Sequence, residues 1–280
     1  MDAPRTPKRA RISKSRELSR GVVSTPSKPK HVLADGADLN LNAGRRANKE
    51  DLQEAWETPT EDFFRDYLPA LRKGFDVQRI IKVLQANKKL VTVDGALVWS
   101  NFSQEPRKRN QTEDACFSAL AQVAKDIVDT CRSVYNVESP WVCVCNPNRA
   151  PQGPRKSSSS CRPDCYMIPK SAKTDSVFWH EIAVSFEFKK DENTSDVNRV
   201  SLTILSMCIL LTRLQNVEQL VWDIRETMRL DPTRRFTFGV SIENTGMRIW
   251  YIDRSNIIIS ELFDFMKVCR YDCYSIRYSC

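Results

Sequence analysis

Glu187 and Lys189 stand two apart in a segment, His180 to Lys190, where Ile182, Val184, Phe186 and Phe188 alternate with Glu181, Ala183, Ser185, Glu187 and Lys189. A period of two marks a strand with one apolar and one polar face, so the acid and the amine point the same way. Upstream, Arg162-Pro163-Asp164-Cys165-Tyr166-Met167-Ile168 reads as a second strand, and pairing of the two brings Asp164 to that polar face. Two carboxylates and an ammonium converging at a strand end suit hydrolysis of a phosphodiester. The carboxylates hold Mg²⁺, which polarises the phosphate and acidifies the attacking water, while the lysine orients that water or balances the developing charge. A strand with a solvated charged face would also produce Glu-x-Lys, and the order of the elements around it separates the two readings.

Those elements can be read from periodicity. Phe117, Leu120, Val123, Ala124, Ile127, Val128, Cys131 and Val134 form an apolar stripe that predicts a helix over Thr112 to Tyr135, with Asn110 as its cap and Glu113 in its first turn. A short strand, Trp141 to Cys145, follows Pro140; next comes a loop holding Pro147, Pro151, Pro154 and four serines, then the Pro-Asp strand, a polar turn at Lys170 to Asp175, and the Glu-x-Lys strand. This order, helix, strand, Pro-Asp strand, Glu-x-Lys strand, resembles the PD-(D/E)XK nuclease superfamily. The resemblance implies an α/β fold with a mixed sheet flanked by helices. It also implies Asp164, Glu187 and Lys189 as catalytic residues, and Asp164, Glu187 and Glu113 as ligands to Mg²⁺.

A second resemblance rests on Asp231-Pro232-Thr233-Arg234-Arg235-Phe236-Thr237-Phe238-Gly239-Val240, Ile242-Glu243-Asn244-Thr245, Met247-Arg248-Ile249-Trp250-Tyr251, Asp253-Arg254-Ser255 and Ser260-Glu261-Leu262-Phe263-Asp264-Phe265, together with Trp179 and Glu187-Phe188-Lys189-Lys190. These look like the N-terminal region of fungal-type protein kinases, over roughly Thr60 to Lys267. Phosphotransfer by a kinase calls for a Gly-rich loop, a phosphate-binding lysine, a catalytic-loop aspartate and a metal-binding aspartate before Phe-Gly. Neither His31 nor His180 opens a His-Arg-Asp string, and Asp264-Phe265 is followed by Met266. The expectation is therefore a truncated chain: a non-catalytic binding or regulatory module with the kinase lobe missing. The alternative is a Mg²⁺-dependent nuclease acting on DNA or RNA. Partners would then be nucleic acid, other proteins or the missing lobe.

Around this domain, taken as residues 103–267, the chain divides into a disordered basic arm at 1–50, a small helical subdomain with a β-hairpin at 51–102 and an irregular tail at 268–280. Leu52, Ala55 and Trp56, then Phe63, Phe64, Tyr67, Leu68 and Leu71 after Thr60, then Val77 to Leu84, read as helices; Asp94-Gly95 between Leu90 and Trp99 reads as a hairpin turn. Nine Lys/Arg against Asp2 and Glu17 put +7 of the net charge of +8 into residues 1–30. Lys8, Arg9 and Arg11 after Pro7 form a nuclear-import candidate. With no apolar leader behind Met1, the reading is an intracellular protein of nucleus or cytoplasm, with its ten cysteines reduced. The longest uncharged stretch, Val200 to Thr212, is shorter than a membrane span needs. That apolar stretch and residues 268–280 depart from the kinase pattern, as read-through intron sequence would. Cys143-x-Cys145 and Cys161-x₃-Cys165 offer four thiolates to zinc as a rival metal site, with Cys143 and Cys145 on one strand face.

Overall fold

The computed structural model describes residues 55–145, 149–153, 161–190 and 215–267. The basic arm with its import patch, the apolar run through 214 and the tail at 268–280 lie outside the described residues. Those that are described belong to one compact unit.

The first strand, β1 (Ala55–Thr58), corrects the helix expected from Leu52, Ala55 and Trp56: it pairs in parallel, Ala55 opposite Ile257 through Thr58 opposite Ser260. A handful of residues at helical spacing cannot nucleate a helix against a ladder of backbone bonds. Helix α1 (Thr60–Asp66) buries Phe63 and Phe64, with Pro59 rather than Thr60 at its cap. Helix α2 (Val77–Ala86) starts where the Asp76 side chain accepts the Gln78 N–H at 2.9 Å. The hairpin of β2 (Leu90–Val93) and β3 (Ala96–Trp99) forms as expected, because Asp94 and Gly95 both adopt positive φ, 49° and 80°.

The single helix expected over Thr112 to Tyr135 is two. α3 (Glu113–Phe117) is capped by Thr112, not Asn110, and after Ser118 the chain continues as α4 (Ala119–Tyr135). Strands β4 (Trp141–Val144), β5 (Cys165–Pro169) and β6 (Val184–Lys189) then run antiparallel in sequence. Helix α5 (Gln215–Leu230) precedes β7 (Phe236–Glu243), which lies parallel to β6, as a crossover on one face of a sheet requires. β8 (Gly246–Asp253) and β9 (Ile257–Ser260) return antiparallel, and the two-residue β10 (Phe263–Asp264) pairs with β8. The order among the described residues is β1-β9-β8-β7-β6-β5-β4. The runs Phe236 to Ile242, Met247 to Asp253 and Asn256 to Ser260, set off by turns at Asn244 to Gly246 and Asp253 to Ser255, predict strands from sequence within a residue of these bounds.

Both faces of this mixed sheet are covered. On one, Val123 and Ile127 of α4 share a core with Phe117, Met167, Phe188 and Val240. On the other, Val217, Leu220 and Ile224 of α5 pack on Trp250, Ile252 and Ile259. The approach of α5 is set by Gly239, where a Cβ would stand 2.5 Å from Ile224 Cδ1 and 3.0 Å from Leu220 Cδ1. The rival reading of β6, a strand with a solvated charged face, does not hold at Ser185 and Glu187. Ser185 and Glu187 are each 1% exposed, because α5 lies over them.

Candidate functional site

Pairing of β5 with β6 decides where the candidate acids meet. Cys165 opposes Phe186, and one step along the same register sets Asp164 opposite Glu187, on the face that α5 covers. The Asp164 N–H donates to Phe186 O at 3.1 Å, and Asp164 Oδ2 accepts the Phe188 N–H at 2.7 Å. Burial pushes the Asp164 carboxyl up to about 6, against the pull of the Phe188 N–H and of Lys189.

Glu187 is more deeply set. Burial, then the facing Asp223, then Asp164 push its pKa well above the usual carboxylate range. Asp223, 0% exposed, comes from α5. Two carboxyls in contact need a proton between them, and beyond that shared proton no donor reaches either oxygen of Glu187. Cys161 Sγ donates to Asp223 Oδ1 at 2.8 Å on the same side of the sheet. Sequence reasoning missed Asp223. The signal was an acid at three- and four-residue spacing from Leu220 and Thr227, inside the apolar arc of an amphipathic helix.

Lys189 and Glu113 close the end of β6. Lys189 Nζ stands 3.2 Å from Glu113 Oε1 and donates to Phe188 O at 2.8 Å, while Glu113 Oε2 accepts the Lys190 N–H at 2.8 Å. Glu113, the first residue of α3, reaches this strand end. Glu113 is thus engaged by the lysines. Asp164, Glu187 and Glu113 do not close into a single ligand shell: among the described residues, the one set of three metal-binding side chains with all ligand atoms within 4.8 Å is Cys143, Cys145 and Cys165.

The thiol set differs from the four-cysteine zinc reading because the sheet separates its members. Cys161 lies against Asp223 under α5, whereas Cys165 faces α4 with Cys143 and Cys145 packed beside it. Cys145 Sγ is 2.8 Å and Cys143 Sγ 3.3 Å from Cys165 Sγ. Burial pushes the Cys165 thiol up; its neighbours' thiols pull Cys145 down, making Cys145 the sulfur that ionises first. Among the described residues, Cys116, Cys143, Cys145, Cys161 and Cys165 are thiols.

Asp164, Glu187, Lys189 and Asp223 all lie in the part of the chain that comparison with known families picks out. Residues 162–270 match the family model described as Fungal protein kinase. The matched segment is less than half of the chain. No curated protein matches it. The match overturns the expectation of a non-catalytic N-terminal module whose kinase lobe is missing, and with it the description of the chain as truncated. Kinase-family sequence occupies β5 through β10, the very region read as lying outside that lobe. Residues 162–270 hold no short catalytic string such as Asp-Phe-Gly, and the matched segment runs instead through the strands and helix of the sheet. The nuclease alternative and the doubt over kinase features fall with the same finding. Among the described residues no helix is long and apolar enough to cross a membrane.

Proposed function

We propose that this chain works in phosphoryl transfer within a fungal-type protein kinase, and that Asp164 and Glu187 hold Mg²⁺ beside the phosphates of a nucleoside triphosphate, with Lys189 next to them. The carrying observation is the register that sets Asp164 opposite Glu187 on one sheet face, with Lys189 two residues on, all inside the matched segment. The donor set suits a hard cation: Mg²⁺ uses one or two carboxylates and fills its remaining positions with water and phosphate oxygens. Apart from the proton it shares with Asp223, Glu187 has no donor on its two buried oxygens, which a bound cation would satisfy. When bound, Mg²⁺ would neutralise charge on the transferred phosphoryl group.

The protein's own groups have separable tasks in this reading. Asp164, partly reachable and with a pKa near 6, ionises at neutral pH. Burial and the facing Asp223 hold a proton on Glu187, which a bound cation would displace. Lys189, held by Glu113 and the Phe188 carbonyl, places its ammonium at the same end of β6. We further read the framework as PD-(D/E)XK-like, supported by the succession of α4, three antiparallel strands, α5 and a parallel β7. The basic arm, with Lys8, Arg9 and Arg11, is read as a nuclear-import signal that also draws the chain to acidic partners; loss of nuclear signal in a fluorescent fusion on Lys8→Ala/Arg9→Ala/Arg11→Ala tests it.

Titrating the full chain with ATP, with and without Mg²⁺, and following the γ-phosphate to protein substrate tests the main reading. Mg²⁺-dependent binding and transfer are expected, each reduced by roughly 10²-fold or more in Asp164→Asn and Glu187→Gln. Nucleotide binding indifferent to Mg²⁺ and to both substitutions would refute it.

A further inference from the structure

We propose that Cys143, Cys145 and Cys165 form a thiolate site for a thiophilic d¹⁰ cation, Zn²⁺ or Cu⁺, between the edge strand β4 and the first turn of α4. This site is distinct from the carboxylate cluster, lying on the opposite face of the sheet.

The register builds it. Cys143 opposes Met167 and Val144 opposes Tyr166, so Cys145, one residue beyond β4, falls opposite Cys165, and Cys143 reaches the same sulfur diagonally. All three sulfurs lie within 4.8 Å of one another. A metal–sulfur bond of about 2.3 Å places ligand sulfurs about 3.8–4.0 Å apart, so the Cys145–Cys165 and Cys143–Cys165 separations of 2.8 and 3.3 Å need to open by roughly an ångström or less. Core cysteines acting as small apolar side chains have no reason to converge three at a time on one point.

The surroundings select the ion. Three sulfur donors without a carboxylate or imidazole in the set favour a soft cation over Mg²⁺ or Ca²⁺. Leu120, Met167 and Phe186 line an apolar cavity of about 130 Å³ that Cys143 borders, so no competing oxygen ligand comes from that side. The backbone N–H of Ala121, in the first turn of α4, helps to lower the Cys145 pKa and so favours its thiolate. Cys143 and Cys145 are only partly buried, which leaves a side open to water as a fourth ligand for Zn²⁺; Cu⁺ needs none. β4 has β5 as its one strand neighbour in the sheet described, so a shared cation would fasten this edge.

The test uses the reduced full chain with Co²⁺ as the spectroscopic stand-in for Zn²⁺, Cu⁺ under anaerobic competition with a chelator, and Mg²⁺ as the hard-ion control. One equivalent of Co²⁺ or Cu⁺ is expected to bind, Co²⁺ with a sulfur-to-metal charge-transfer band. Mg²⁺ is expected to give no change, and the bound soft ion to raise Tm by about 5–10 °C at a hundredfold excess over Kd. Cys143→Ser, Cys145→Ser and Cys165→Ser should each weaken binding at least tenfold, whereas Cys161→Ser should leave it unchanged. Because a Cys165 substitution sits in the core, X-ray absorption on the unsubstituted protein provides an independent count, with three sulfur neighbours expected. Fewer than three sulfurs, no stoichiometric soft-ion binding, or a thiol count showing Cys145 joined to Cys165 in the reduced preparation would overturn the proposal.

Discussion

Glu187 of β6 and Asp223 of α5 face each other with exposures of 1% and 0%. Burying a carboxyl pair opposes folding, since at least one must keep its proton or be charged in a medium of low dielectric. Replacing Glu187 by Gln supplies an amide N–H₂ to Asp223 and removes one acid. Glu187→Gln should therefore stabilise the protein by about 1–3 kcal/mol while weakening Mg²⁺-dependent nucleotide binding by roughly 10²-fold or more. Thermal unfolding and a binding titration on the same sample check both halves; a loss of stability with the loss of binding would give Glu187 a purely structural role.

Asp164 makes stability depend on pH in a defined direction. Its folded pKa of about 6 exceeds the ordinary value of 3.8, so the folded state holds the extra proton between those two values. Stability from this group is complete below about pH 4 and is lost as pH rises through about 6, by up to roughly 2–3 kcal/mol before allowance for its partial exposure. In Asp164→Asn this portion of the pH profile should flatten. Urea melts at pH 4, 5, 6 and 7 decide the matter, and an unchanged slope would remove Asp164 as its source.

Gly239 should tolerate no larger side chain without a penalty. Gly239→Ala forces a methyl against Ile224 and Leu220, which are 1% and 0% exposed and have little room to give. A loss of about 1–3 kcal/mol is expected from overpacking, and pairing it with Ile224→Val should restore part of that loss. A neutral Gly239→Ala would mean that α5 can lift from β7 freely.

The edge strand β1 is tied by charge as well as by backbone. Arg248 Nη1 reaches Glu57 Oε2 at 2.7 Å and also donates to Ser260 O at 3.1 Å, with the two charged side chains 15% and 24% exposed. Glu57→Gln is expected to destabilise by about 1 kcal/mol and to speed amide exchange in Ala55–Thr58 more than in β8. Equal protection in both proteins would show that the ladder to β9 holds β1 unaided.

Much of the chain's local order was written in its residues. Asp94-Gly95 determines its hairpin because positive φ at both positions is cheap there, and the alternation through Val184 to Lys189 together with the β-branched and aromatic runs of β7 and β8 determines strands wherever they pair. The side-by-side position of Asp164 and Glu187 was also legible, since an antiparallel neighbour with Asp164 at its start leaves few registers. Tertiary structure alone decided the rest. β1 became a strand because β9 offered it a ladder, and the packing of α3 on β6 brought Glu113 onto Lys189 and Lys190. α5 buried the polar side of β6, supplying Asp223 from a segment that no local pattern linked to Glu187. The sheet likewise sorted four cysteines into three and one, because sequence spacing records neighbours along the chain, whereas the face a side chain occupies depends on which strands pair and on which helix covers them.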